Sequence, residues 1–302
     1  MTHLKKLFYN FMTHPTINQA IKTSLKPIAN YIPKHFLERI PIVGQVNVDF
    51  GNGKTLHMAT DGGDAIAGMV FWLGLTGFER TTITLFRDLL KRSKVVFDIG
   101  ANTGLFGLIA AVDDPLRQVF AFEPMPNVFK ALLANVDLNN LKNLTCMQSA
   151  VTNFDGFTKF FTYPSLRIPY ISSTLNLHAN AVQITVPAIT VDSFVSDSQI
   201  PPVDLMKVDT ESTEPMVLGG ATHTLQDHAP IIICEVLSGR QTEDGLHAIL
   251  DKLDYDYFLI AQDSLIKRDR IVGDQLNDNF NYLFVPRRKS SWLESLSMPV
   301  KY

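Results

Sequence analysis

Cysteine is scarce: Cys146 and Cys234 are the only two in 302 residues. Each falls in an apolar, β-rich stretch, where a thiol serves as a small core hydrophobe. They supply neither a disulfide framework nor the spacing of a metal site, which suits a reducing compartment. A long apolar run is also missing. No stretch approaches the roughly 20 apolar residues of a membrane-spanning helix. Lys5, Lys6, Tyr9, Asn10 and His14 interrupt the region where a signal peptide would carry its apolar core. Cytoplasmic residence is therefore the default expectation. Nor is there an excess of basic charge. Lys and Arg number 27 against 30 Asp and Glu, a net charge of −3. Nothing draws such a chain globally toward phosphate backbones, so no nucleic-acid partner is expected. The short runs Lys91, Arg92, Lys94 and Arg287, Arg288, Lys289 read as solvated flanks of strands. Against these absences, 46% hydrophobic and 19% charged residues describe a globular protein. The length suits one large α/β domain with decoration, or two small domains.

Near the amino terminus, Leu4, Leu7, Phe8, Phe11 and Met12 recur at helical spacing. The simplest reading is a short helix docked on the body. Because Lys5 and Lys6 flank the apolar face, the alternative is a helix that touches a membrane surface or a partner. "QVNVDFGNGKTLHMAT" alternates on both sides of a glycine-bearing turn and predicts a β-hairpin. "AIAGMVFWLGLTGFERTTITLFRDLLK" predicts one or two helices, broken near Gly74 to Gly77. Residues 1–90 thus form a helical and hairpin cap.

From Val95 the rhythm changes. Near-continuous apolar strands alternate with helices, as in a mostly parallel sheet covered on both faces. Val128, Phe129, Leu132, Leu133 and Val136 are expected to form the apolar stripe of one crossover helix. "GFTKFFTYP" and "VQITVPAIT" look like an antiparallel pair inserted at about 155–190, joined by a long loop. The α/β domain runs over 91–286, and 287–302 reads as a peripheral tail.

"VVFDIGANTGLFG", residues 95–107, is a strand running into a glycine turn and then a helix. Glycines let the backbone approach a ligand, and the helix start points N–H groups at it. The spacing Gly100-x-x-x-Gly104-x-x-Gly107 does not match the dinucleotide pattern G-x-G-x-x-G, and no Gly-Lys-Ser/Thr follows, which excludes a phosphate-cradling P-loop. Asp98 stands just before the first glycine and would repel a pyrophosphate. It suits a cationic ligand without phosphate, and S-adenosylmethionine, with an ammonium and a sulfonium, is one. The next strand, "QVFAFE", ends in Glu123, about 20 residues beyond the turn, where a carboxylate receives ribose hydroxyls. The third ends "MQSAV", placing Ser149 and Ala150 toward the adenine edge.

These segments, with "VFAFEPMPNVFKALLANVDLN", "ITVDSFV", "DLMKVDTESTEPMVLGGA" and "IIICEV", resemble the FkbM-type methyltransferases, a branch of the class I adenosylmethionine-dependent enzymes. The resemblance spans about 95–236. It implies an α/β, Rossmann-like sheet of seven mostly parallel strands. It also implies O-methylation of sugar or polyketide hydroxyls, and cofactor contacts at Asp98, Gly100, Asn102, Gly104 and Glu123. One position departs: in "KVDTESTE", Ser212 stands where the family pattern has glycine, either in an altered turn or as a cap for the helix that Pro215 helps to start.

Methyl transfer to an alcohol needs alignment and a base. Asp209, at the end of the fourth strand, is the favoured base and Glu211 the alternate. Glu214 opens a helix, where the dipole favours a carboxylate. Glu235 reads as a buried partner, in one version of Lys207. Asp209 with Glu235 could instead hold Mg²⁺, a disfavoured option because no dedicated ligand motif is present. His178, His223 and His228 read as surface or satisfied residues. Tyr163, Tyr170, Ser172 and Ser173 are candidate acceptor contacts. The expected partner is a small-molecule or glycan hydroxyl, including a lipid-linked saccharide; no pattern specifies the oligomeric state. The competing readings are a non-catalytic adenosylmethionine-binding scaffold and a nicotinamide-dependent reductase, the latter disfavoured by the glycine spacing and by Asp98.

Overall fold

The computed structural model describes residues 3–162, 182–276 and 278–302. The amino-terminal cap contains helices α1 (His3–Thr13), α2 (Pro15–Leu25) and α3 (Lys34–Leu37), followed by the hairpin β1 (Val43–Gly51) and β2 (Lys54–Asp61). The hairpin turn is Asn52–Gly53, both at positive φ (54° and 74°), which matches the twist of the flanking strands. Two helices follow, α4 (Ala65–Leu73) and α5 (Arg80–Leu90). Gly74 at φ 79° ends the first of them, where the sequence predicts the break. Asp64 caps α4 by accepting the Ala67 N–H at 3.0 Å.

The next elements are β3 (Val95–Ile99), α6 (Leu105–Asp113), β4 (Gln118–Phe122), α7 (Pro126–Leu138) and β5 (Leu144–Met147). Every residue of β3 is buried, as a strand covered on both faces requires. After β5 come β6 (Ala150–Val151), β7 (Gly156–Thr162), β8 (Val182–Ile189), α8 (Val191–Asp197) and β9 (Leu205–Val208). The chain then runs through α9 (Glu214–Gly219), α10 (Thr222–Asp227), β10 (Ile231–Glu235), α11 (Glu243–Leu250), β11 (Tyr255–Ala261), β12 (Ser264–Arg268), β13 (Asn281–Pro286) and β14 (Val300–Lys301).

The described residues build a main sheet of order β14-β12-β11-β13-β10-β9-β3-β4-β5. From β10 to β5 all pairings are parallel, and β13 is antiparallel to both of its neighbours. The fold is the expected Rossmann-like α/β class, with a correction: the sheet has nine strands, not seven. β12 extends the edge antiparallel to β11, and β14 adds to it in parallel. Both are short and partly polar, so neither announces itself as a buried strand. The last residues also pack inward, since Leu293 and Met298 are buried.

The inserted pair is present, β7 antiparallel to β8 in register Gly156↔Ala188 through Thr162↔Val182. A second correction concerns "MQSAV". Ala150–Val151 does not continue β5 but pairs in parallel with β8 in a separate three-stranded sheet. A third concerns α7: Val128, Leu132 and Val136 are buried, whereas Leu133 lies exposed off the stripe. The α7 side chain of Asn135, fully buried, ties the layers together. It accepts the Ala59 N–H at 2.7 Å and donates to the Thr103 carbonyl at 2.8 Å.

Candidate active site

The carboxyl ends of β5, β4, β3, β9 and β10 lie side by side in that order, and parallel α/β sheets hold ligands along such an edge. At a strand spacing of about 4.8 Å the four gaps span about 19 Å. One cavity follows this edge. Asp98, Gly100, Asn102, Glu123, Ser149 and Ala150 line it on the β5–β3 side, and Lys207, Asp209, Glu211 and Glu235 on the β9–β10 side. Phe160 of β7 borders it as well. The sequence-predicted site residues therefore converge, except Gly104. That glycine does not line the cavity; at φ 97° it starts α6 where a Cβ would overlap Leu132.

The turn after β3 is held from several sides. The Gly100 and Ala101 N–H groups donate to the Phe122 carbonyl at 3.0 and 2.9 Å. The Asn102 N–H donates to Glu123 Oε2 at 3.0 Å, and the Met125 N–H to Oε1 at 2.8 Å. Both Glu123 oxygens are thus oriented by backbone. Gly100 is at φ 82° and a Cβ there would overlap the Asp209 carbonyl oxygen. This close approach brings the loops after β3 and β9 together, so that a glycine is required for more than its backbone freedom. Asp98 is buried, and its Oδ2 accepts the Gly107 N–H at 2.7 Å. Burial pushes the Asp98 carboxyl up to about 7 against the Gly107 N–H and the Lys207 charge. Burial likewise pushes Glu123 up to about 7. The Ser149 hydroxyl is buried with no partner among the described residues.

Lys207 is the centre of the other half. It is fully buried on β9, its Nζ is 2.8 Å from Asp209 Oδ2 and 5.2 Å from the Phe106 ring centre. Burial opposes its charge, but Asp209, Glu79 and Glu235 together outweigh burial and raise its pKa. Of the ion pair, Asp209 is the accessible member, 27% exposed against 1% for Lys207. Burial and the charges of Asp209 and Glu214 push Glu211 up to about 8. Glu235 is raised well above the carboxylate range, by burial first and then by Asp209 and Glu211. Its Oε2 is buried without a partner among the described residues. No group of three or more His, Cys, Asp or Glu among the described residues is arranged to hold a metal ion.

Glu214 Oε1 organises the turn beyond Asp209, accepting from Thr210 N, Thr210 Oγ1 and Ser212 N at 2.9, 3.0 and 3.2 Å. Ser212 does not cap the following helix. It sits at φ 83°, keeping the glycine-like backbone, with its hydroxyl buried and without a partner among the described residues. His228 Nδ1 accepts the Val203 N–H at 3.2 Å, and His223 is exposed. Tyr163, Tyr170, Ser172, Ser173 and His178 lie outside the described residues.

Sequence reasoning missed Glu79. It lines the cavity next to Lys207, with the Asn281 amide donating to its Oε2 at 3.0 Å. No local pattern links it to residues 130 positions away. For Lys207 a signal existed: a lone lysine within the apolar strand "LMKV" must find a buried counter-charge.

Residues 98–259, 162 of the 302, match the family model for the methyltransferase FkbM domain. The chain is 26% identical over 202 residues to the hexuronic acid methyltransferase AglP of Haloferax volcanii, covering 66% of this chain and 78% of that one. It is 27% identical over 158 residues to the 31-O-demethyl-FK506 methyltransferase FkbM of Streptomyces tacrolimicus, covering 43% of this chain and 60% of that one. Among solved structures, methyltransferase FkbM from Methylobacillus flagellatus aligns with 15% identity and a TM-score of 0.42 over 73% of this chain. The chain spans 54% of that protein's length.

Proposed function

Because the chain belongs to the family of methyltransferases with an FkbM domain, we propose that it transfers a methyl group from S-adenosylmethionine to a hydroxyl of a small molecule or glycan. The Haloferax relative is a hexuronic acid methyltransferase and the Streptomyces relative a 31-O-demethyl-FK506 methyltransferase, which favours a sugar, lipid-linked saccharide or polyketide acceptor.

The observation that carries the reading is the single cavity joining Glu123 and Ser149 to the Lys207–Asp209 pair across Gly100. The residues fit the donor. Backbone N–H groups orient both Glu123 oxygens, and each keeps a lone pair for a ribose hydroxyl. The Ser149 hydroxyl, with no partner among the described residues, is suited to an adenine nitrogen. Asp98 offers a carboxylate to an ammonium. When bound, S-adenosylmethionine supplies an electrophilic sulfonium methyl. The chain's own part is to align the acceptor oxygen with that methyl and to take its proton. Asp209, the accessible partner of Lys207, is the base. Glu211, pushed up to about 8, keeps its proton at neutral pH and donates a hydrogen bond to the acceptor instead. Lys207 holds Asp209 in place from beneath.

The test is mass spectrometry of products from a panel of sugars, lipid-linked saccharides and polyketides, incubated with donor carrying an isotopically labelled methyl. Labelled ether products are expected. Asp209→Asn should lower kcat by about 10²–10⁴-fold with donor affinity retained. Label on no acceptor, despite tight donor binding, would establish the non-catalytic scaffold instead.

A further inference from the structure

The amino-terminal helix is mounted with its apolar stripe outward. α1 meets the body through Tyr9 and Thr13: a Cβ on Gly62 would stand 2.9 Å from Thr13 Cγ2 and 3.1 Å from the Tyr9 hydroxyl. The opposite side carries the residues that periodicity assigns to a core face. Leu7, Phe8 and Phe11 are 53%, 62% and 57% exposed. At 3.6 residues per turn they form one stripe along the helix. A large apolar side chain left in water is informative in a way that a buried one is not. Ile28, Tyr31 and Phe36 of the same segment are exposed too.

Charge identifies what covers this face. Residues 1–40 contain five lysines and one arginine against one glutamate, a surplus of five positive charges in a chain whose net charge is −3. Lys22 and Lys26 are fixed on backbone carbonyls, Lys22 on Val43 at 3.0 Å and Lys26 on Trp72 at 3.1 Å. Their charge is part of the segment's standing field. Two copies meeting through this face would set one positive surplus against another, which disfavours self-association. An anionic bilayer satisfies both features: its headgroups attract the cations, and the acyl boundary takes Phe8 and Phe11. No described helix is long and apolar enough to cross a membrane, so the contact is peripheral. We infer that the outward face of α1, with the basic amino-terminal segment around it, binds an anionic lipid surface.

Co-sedimentation with vesicles tests this on the full chain. Pelleting is expected with vesicles of phosphatidylcholine and phosphatidylglycerol, and little with phosphatidylcholine alone. Binding should weaken as salt is raised. The double substitution Phe8→Glu, Phe11→Glu should lower vesicle affinity roughly tenfold or more, with an unchanged thermal midpoint because both side chains are exposed. Three results would overturn the inference: no pelleting on the anionic vesicles, equal pelleting on both kinds or by the double variant, or a vesicle-free dimer that the same substitutions dissolve.

Discussion

Ser212→Gly should make the protein more stable. The backbone there is at φ 83°, held by the Ser212 N–H on Glu214 Oε1, an oxygen that also takes two donors from Thr210. The turn therefore keeps its left-handed form whatever side chain is present. An L-residue in that region carries about 1–2 kcal/mol of strain. The Ser212 hydroxyl, buried without a partner among the described residues, adds about 1–3 kcal/mol of desolvation. Glycine removes both but gives the unfolded chain more freedom, which returns about 0.4–1 kcal/mol. The balance is a gain of at least about 1–2 kcal/mol, or roughly 2–4 °C in Tm for a chain of this size. Thermal and guanidinium unfolding measure it. Ser212→Ala separates the contributions, since it removes the hydroxyl and keeps the strain, and should recover only part of the gain. Ser212 does not line the cavity, so methyl transfer should be close to wild type. If Ser212→Gly is no more stable than the parent, the strain assigned to this turn is absent and the reasoning fails.

Stability of the ligand-free chain should fall as pH rises from about 5 to about 8. Asp98 and Glu123 keep protons in the folded chain to about 7 and Glu211 to about 8, whereas unfolded carboxyls release theirs near 4. The folded state binds more protons over this interval, so the stability they contribute is fully present below about 4 and is lost as pH rises through 7 to 8. For Asp98 alone the limit is roughly 4 kcal/mol, and Asp98→Asn should flatten the profile. A denaturation midpoint higher at pH 8 than at pH 5 contradicts this. Gly100→Ala should destabilise by about 2–4 kcal/mol and weaken donor binding, because strain adds to overlap with the Asp209 carbonyl. Gly156→Ala is the control, with positive φ but none of the described residues within 4 Å of a Cβ, and should lose only the strain. Wild-type stability and donor affinity in Gly100→Ala would remove the proposed loop contact. EDTA should leave turnover unchanged, since Lys207 already occupies an Asp209 oxygen; lost activity restored by Mg²⁺ would favour the metal-assisted alternative.

Much of the architecture was legible because its signals are local. Asn52–Gly53 with alternation on both sides specifies a hairpin, and the apolar run Val95–Phe97 leading through Asp98 and Ile99 into Gly100 specifies a central strand and a glycine turn. The order of Gly100, Glu123 and Ser149 along the chain is also their order along the sheet edge, since consecutive parallel strands were read as neighbours. What escaped depends on tertiary contact. Glu79 reaches the site through the packing of α5, and nothing around it in the sequence marks it. β12 and the edge strand β14 are short and contain Lys and Arg, too polar to read as part of a buried sheet. The stripe of α1 was visible, but periodicity says that a helix has an apolar face and not which way it turns; the seating of Thr13 and Tyr9 against Gly62 and the exposure of Leu7, Phe8 and Phe11 show that it faces out.

The central claim is that the cavity at Gly100 takes a cationic adenosine donor without phosphates. Isothermal calorimetry with S-adenosylmethionine, S-adenosylhomocysteine and NAD, on the wild-type chain and on Glu123→Gln, tests it most directly. Binding of the first two compounds and not the third is expected, with affinity for both falling about tenfold or more in Glu123→Gln. Tight binding of NAD with no response to either adenosyl compound would contradict it.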